Sequence, residues 1–354
     1  MIVCCKSHCV LFYVLFFFLL LHLENRCFAD EMQLRYAADM AHLPAGADIA
    51  AMGDAGVVLP KRALSVIWNP ASVSFARQVE LSAEIADIYH GLSRQACFAL
   101  RIPYQSQMAS SIVYLPFLSG DIPCFDSLPS TYEQSLKDAS LRSSGTPLGY
   151  FRNNQHLMIL TLGKLLALKM PTIPGSGLPR PLNISAGMSL KGYWQTMNPK
   201  DKKYMGVGVN ADAGVMVSIG LDFDLSRKET SRTLIMGIAV RDFLPSEIIW
   251  VHSPVQYSEK IRYSHYYGIS YVDKSGDLGG NWTFALGLDK QYTTSLRLGL
   301  EAEFWNIAVF RAGLSGKIPT LGAGVHYKRY YMDYAFRFDK IDFSFLRLNL
   351  GVLF

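Results

Sequence analysis

The chain has 354 residues, half of them apolar, 12% aromatic and only 18% charged, with a formal net charge of +5. A soluble protein of this size carries about 25% charged residues, so the composition leaves two homes: a large soluble β-protein, or a barrel whose outer face meets lipid. The positive charge is slight and spread along the chain without a basic block, which argues against nucleic acid as a partner.

Lys6 and His8 precede an apolar run from Val10 to Leu21, and Cys27 and Ala29 then occupy a small-x-small cleavage site. This order reads as a secretory signal peptide over residues 1–29. The run is well short of the roughly 20 apolar residues that take a helix across a bilayer. Asn25 and Arg26, directly before Cys27, argue against a lipid anchor there. Four of the six cysteines fall in this segment. Cys97 and Cys124 remain, enough for one disulfide or for two idle thiols.

Residues 30–77 do not alternate. Ala45, Gly46, Ala47, Ala50, Ala51, Met52, Gly53, Ala55 and Gly56 dominate, and Trp68-Asn69-Pro70-Ala71 closes the segment. Small residues let backbone approach backbone, and the Asn-Pro pair forms a turn with a fixed φ. Two readings stand, a cap outside a barrel and a plug, or hatch, inside its lumen; the small residues favour the plug.

From residue 78 to 354 the text is strand. Stretches near 78–87, 93–103, 108–117, 154–165, 182–193, 212–224, 232–242 and 262–272 precede six clearer ones. Trp282, Phe284, Leu286 and Leu288 oppose Thr283, Ala285, Gly287 and Asp289. Leu296, Leu298, Leu300, Ala302 and Phe304 oppose Arg297, Gly299, Glu301 and Glu303. The same period of two runs through 308–314, 321–327, 330–338 and 344–354, placing apolar and polar or glycine sets on opposite faces. Gly287, Gly299, Gly313, Gly322 and Gly324 thereby fall on the inner face. The tally is about fourteen antiparallel strands, an even number as in single-chain bacterial barrels, and a sheet in lipid must close on itself. The gaps near 118–153, 194–211 and 243–261 are long and extracellular if residue 78 starts at the periplasmic side. The turn near 166–181 is long as well. The last strand ends the chain on Phe354, the ending that outer-membrane barrels present to their assembly machinery, and outer-membrane lipid is the expected surround.

The stretch Gly46 to Gly56 followed by Trp68-Asn69-Pro70-Ala71 resembles the N-terminus of the FadL-like and PorV-like outer-membrane proteins, and more narrowly an uncharacterised FadL-related family of spirochaetes. Two patches support it: Gly206 to Gly214, and Gly322 to Tyr327 running on to Asp333 to Phe336. The resemblance implies fourteen strands closed by an N-terminal hatch, to which Gly46, Met52, Gly53, Trp68, Asn69, Pro70 and Ala71 belong. It also implies capture of hydrophobic molecules such as long-chain fatty acids by outer loops, a lumenal pocket, and release by hatch movement, often sideways through the wall. PorV-like relatives share the fold yet serve protein secretion. This chain is shorter than the enterobacterial transporter, with smaller outer loops in its second half.

Enzyme motifs are not found. Gly206-x-Gly208-x-x-Ala211 is followed by a strand where a dinucleotide loop needs a helix, Gly316-Lys317 lacks the rest of a phosphate loop, and the scattered histidines form no metal-ligand pair. No cofactor or metal is expected. The candidate ligand residues are Phe117, Leu118, Phe125, Leu128, Tyr132, Leu136 and Leu141 near the loop 118–153. They either form a groove for an acyl chain, at about 0.8 kcal/mol per buried CH₂, or fold the loop onto the rim. Arg297, Arg311, Arg337 and Arg347 fall on the inward face by alternation, with Arg297 and Arg311 the candidate ligand residues among them. Either one of them holds a carboxylate headgroup, or they join Glu301, Glu303, Asp333 and Asp339 in a lumen network, the reading that the cost of an unpaired buried charge favours. The functional expectation is uptake of hydrophobic small molecules across the outer membrane. The alternatives are a non-transporting barrel, acting as secretion partner or adhesin, and a diffusion porin, against which the hatch argues.

Overall fold

The computed structural model describes residues 36–354 apart from 38, 89–90, 126–130, 139–140, 142–144, 171–179, 199–202, 223–229, 252–256, 277–278, 292 and 339–344. The signal-peptide segment lies outside the described residues. Fourteen strands among the described residues close a barrel. They are β1 (Glu80–Ile88), β2 (Ser93–Pro103), β3 (Met108–Cys124), β4 (Gly149–Met170), β5 (Arg180–Met197), β6 (Tyr204–Gly220) and β7 (Arg232–Arg241). The ring continues with β8 (Ser264–Asp273), β9 (Asn281–Lys290), β10 (Thr294–Phe304), β11 (Ala308–Ser315), β12 (Ile318–Tyr327), β13 (Tyr330–Arg337) and β14 (Phe345–Leu353). Each pairs antiparallel with its neighbour in the chain, and β14 closes the ring on β1 from Leu346–Asp87 to Leu353–Glu80. The Phe354 amide donates to the Val79 carbonyl at 2.9 Å, continuing that seam to the last residue.

The alternation decides which way each side chain faces. On β14, Leu346 and Leu350 are exposed outside while Arg347 and Asn349 are buried within. On β1, Leu81 and Ile85 face out, and Glu80, Ser82 and Glu84 face in. An apolar exterior with paired backbone groups and charges turned inward is what lipid demands of a sheet. Aromatic side chains gather at both ends of this band. Trp282 and Phe304 meet edge to face at 6.2 Å, with Phe310 6.3 Å beyond Phe304, near the rim where β1 begins, the lower rim. Tyr263, His265 and Tyr267 follow one another at the opposite, upper rim. Aromatic girdles of this kind settle at the two bilayer interfaces. Among the described residues no helix is long and apolar enough to cross a membrane; the strands would cross.

The wall is uneven. β4 has 22 residues and β11 has 8, and β3 to β6 all continue past their neighbours toward the upper rim. The long gap expected at 194–211 is strand up to Met197 and again from Tyr204, where β6 begins in place of the expected 212. Within 243–261 lies a hairpin, Glu247–Val251 against Tyr257–Ile261, whose first strand pairs with the upper part of β6. Of the loop expected at 118–153, β3 takes in 118–124 and β4 takes in 149–153; of the turn expected at 166–181, strand takes in 166–170 and 180–181, and 171–179 lies outside the described residues. Cys97 and Cys124 are free thiols, so there is no disulfide between them.

Candidate functional site

Residues 39–76 contain almost no period of their own: short 3-10 turns, one helix over Ala47–Ala51, and nearly every side chain buried. Their partners are the inner faces of the strands. Tyr36–Ala37 pairs parallel with Lys260–Ile261 of the upper hairpin, and the segment then descends past the strands until Ala76 leads into β1.

A belt of wall glycines at mid-height makes room for this path. A Cβ on Gly299 would lie 2.6 Å from the Met52 carbonyl oxygen, and one on Gly237 would lie 2.6 Å from that of Val57. Gly187 faces Pro70, Gly214 faces Asn69, Gly313 faces Gly53 and Gly322 faces Ala51, each too closely for a methyl group. Backbone therefore packs on backbone around much of the ring. The turn at Gly53 and Asp54 has φ of 65° and 64°, a left-handed pair that glycine adopts freely and Asp at a cost. Wall side chains hold it: Ser315 Oγ donates to Asp54 Oδ2 at 2.6 Å, Arg337 and Arg297 approach the same oxygen at 3.2 and 3.4 Å, and the Gly53 amide donates to Thr320 Oγ1 at 3.1 Å.

Asn69 sits at the junction of segment and wall. Fully buried, it caps the 3-10 turn over Pro70–Phe75 by accepting from the Ala71 amide at 3.0 Å, and its Nδ2 donates to Val57 O at 3.0 Å. The same nitrogen reaches Val215 O of β6 and Ile238 O of β7 at 3.5 Å. Trp68 donates to Ala45 O at 2.8 Å and meets Tyr266 edge to face. Ala71 O accepts from Ser185 at 2.6 Å. Gly46 donates its amide to Glu84 at 3.2 Å, and Met52 and Pro70 are buried against the belt. All seven residues expected in the hatch thus lie where segment meets wall.

Charges tie the two ends. Near the lower rim Lys61 pairs with Glu301, Ala63 N donates to Glu80 at 2.9 Å, and the Arg62 guanidinium lies 3.8 Å above the Tyr331 ring centre. Near the upper rim Lys191 lies 2.8 Å from Asp212 and 3.0 Å from Asp242. Tyr193 donates to Asp242 at 2.6 Å, and His42 is 3.6 Å from the same carboxylate. Arg241 donates to the Ala41 carbonyl. Burial first, then the Arg241 charge, push the His42 imidazole well below its ordinary range. These partners were not legible in sequence. Inward parity could have flagged Lys191 and Asp212, but nothing in the sequence brings His42 to them.

The remaining candidates separate. Arg311 binds Glu301 and Asp333, both at 2.7 Å, and Arg297 binds Asp289 and Asp54. The geometry is that of the lumen network, with Glu303 beside His326; Asp339 lies outside the described residues. Phe117 and Leu118 are both on β3, and they face opposite sides of the wall: Phe117 is buried within and Leu118 is exposed outside. They cannot line one groove, a correction that follows from the period of two. Phe125 is exposed just past β3 and Leu141 is half-buried. Tyr132 and Leu136 belong to a short helix over Tyr132–Lys137, and Leu128 lies outside the described residues. One irregularity was not foreseen: the β2–β3 ladder is interrupted between Gln95–Phe117 and Phe98–Tyr114, where Pro116 has no N–H to donate.

These features define a class: a fourteen-strand barrel of transmembrane type whose lumen is occupied by its own N-terminal segment. No protein-family model matches the chain, and no curated protein matches its sequence. Among solved structures it is similar to a deltaS2 mutant of the monoaromatic hydrocarbon channel TodX, at TM-score 0.50 and 12% identity, over 87% of this chain and 97% of that one. The P. putida toluene transporter TodX (12% identity, TM-score 0.40) and the Ralstonia pickettii toluene transporter TbuX (11%, 0.29) align over the same shares. At such identity the first likeness shows the fold alone.

Proposed function

We propose that the protein is an outer-membrane transporter for hydrophobic small molecules, long-chain fatty acids among the candidates, within a FadL-related group of spirochaetes. In this reading residues 1–29 are the export signal, residues 30–77 the hatch, and 78–354 the barrel, delivered to the membrane through recognition of Phe354 by the assembly machinery. The observation that carries it is the lumen segment packed on the glycine belt, because a filled lumen excludes a constant aqueous path and so disfavours a diffusion porin. The buried apolar surface supports it too. Val113, Leu115, Leu157 and Ile159 of the tall wall share one apolar core with Met40, Ala45, Ile49 and Trp68 of the segment, so displacing the segment would bare a surface suited to an apolar guest. The interrupted ladder at Pro116 weakens the wall beside that surface and suits sideways release into lipid. The resemblance of the fold to hydrocarbon channels agrees with this. Binding of a labelled long-chain fatty acid and of a labelled aromatic hydrocarbon to the folded barrel in detergent tests it. Saturable binding of either supports uptake, and binding of neither favours the secretion-partner or adhesin alternative.

A further inference from the structure

The inner face of the tall wall changes character in steps set by strand register. Val113 lies opposite Ile159 in one row, Leu115 opposite Leu157 in the next, and above them Gln95, Phe117, Gln155 and Gln195 align across β2 to β5. Val113, Ile159, Leu115 and Leu157 are wholly buried, and on β5 the same two rows end on Lys191 and Tyr193. The third is an amide row broken only by Phe117.

Gln95 has a fixed orientation. Its Oε1 accepts from Arg347 Nη2 at 3.0 Å, which turns the amide nitrogen the other way, and that nitrogen has no hydrogen-bond partner although the residue is 1% exposed. Across β3 and one row higher, Asn153 Oδ1 is also buried without a partner. Leaving a buried polar atom unmatched costs about 1–3 kcal/mol, and such atoms in native proteins call for a missing partner. The charges nearby are already balanced. Arg347 is paired with Glu84, and Lys191 with Asp212 and Asp242. A carboxylate entering here would be buried without a counter-charge of its own.

We propose that these rows form a binding site for a neutral amphiphile, deepening the uptake reading on which the inference rests. An uncharged head with an acceptor oxygen, such as an alcohol, takes the Gln95 Nε2–H, and its chain lies along Val113, Leu115, Leu157 and Ile159 in place of the segment side chains that cover them. Net charge on the ligand is selected against; chain length is rewarded by burial of each CH₂.

The test is binding of dodecanol, dodecane and dodecanoate to the folded full-length barrel at mildly alkaline pH, where the acid is ionised. Dodecanol should bind about tenfold more tightly than dodecane, the size of one hydrogen bond, and dodecanoate should bind weakest. In Gln95→Leu the alcohol should fall to the level of the alkane, with alkane binding kept. Gln95→Asn, which retains a donor, should restore part of the preference. The wild-type ranking decides the matter even if a variant does not fold. Equal affinities, or tightest binding of dodecanoate, overturn this site while leaving uptake of hydrophobic molecules standing. Binding of none of the three overturns this site, and the uptake reading falls with it when a labelled aromatic hydrocarbon also fails to bind.

Discussion

Replacing Gly299 and Gly313 together by alanine should open the lumen without unfolding the barrel. Both glycines are in regular strand, so the wall itself accepts alanine; what does not is the backbone of Met52 and Gly53 behind them. A Cβ on Gly299 meets the Met52 oxygen at 2.6 Å, and one on Gly313 meets the Gly53 nitrogen more closely still. Backbone atoms cannot rotate away as a flexible side chain can. Overpacking of this kind costs about 1–3 kcal/mol per site, about 2–6 kcal/mol for the pair, so the ratio of docked to undocked segment should fall by roughly 30-fold to 10⁴-fold. Single-channel recordings in planar bilayers read that ratio as open probability: wild type closed, the double variant conducting. Gly192→Ala is the control, since nothing lies within 4 Å of its added Cβ. Heat-modifiable gel mobility verifies that the barrels folded. Folded double-variant barrels with wild-type closure would refute the argument that the belt exists to seat the segment.

Other outcomes follow from the same contacts. Asn69→Leu removes a cap worth about 1–2 kcal/mol and strands the Val57 carbonyl at a further cost of about 1–3 kcal/mol, so an intermediate, flickering conductance is expected; a silent channel would show that Asn69 is not an anchor. For His42 the sign is set by its lowered pKa. The docked segment holds the imidazole neutral while the released segment protonates near pH 6.5, so docking should weaken as pH falls below that value. Limited proteolysis should then cut the N-terminal segment faster at pH 5.5 than at about pH 7.5, and His42→Phe should flatten the difference. Phe354→Asp should lower the amount of folded protein in the outer membrane severalfold, judged by gel mobility of membrane fractions; wild-type levels would remove the last residue from the assembly step.

The strands were legible where the period of two was clean. β13 and β14 could be read residue by residue, including the inward Asp333 and Arg347, because each apolar position is flanked by polar or glycine neighbours. β6 was read late because Gly206 and Gly208, spaced as in a loop, begin a strand whose role is to receive the hairpin over Glu247–Val251. That hairpin was missed because five-residue strands give too few alternations to count. The segment 39–76 was legible as small-residue packing but not as a path, since 3-10 turns leave no periodic trace and its shape comes from the wall. The network around Arg311 could be narrowed to a set of inward charges, while its pairing depended on register, which composition and alternation leave free.

Uptake itself is tested most directly in intact cells. The initial rate at which a radiolabelled hydrophobic molecule, an aromatic hydrocarbon or a long-chain alcohol, enters bacteria lacking their own hydrophobic-molecule channel should be measured with and without this protein in the outer membrane. In parallel, a small hydrophilic sugar is measured in the same cells. A channel for hydrophobic molecules with a filled lumen speeds entry of the hydrophobic molecule and leaves entry of the sugar unchanged. Unchanged entry of the hydrophobic molecule, or equal acceleration of both, would contradict it.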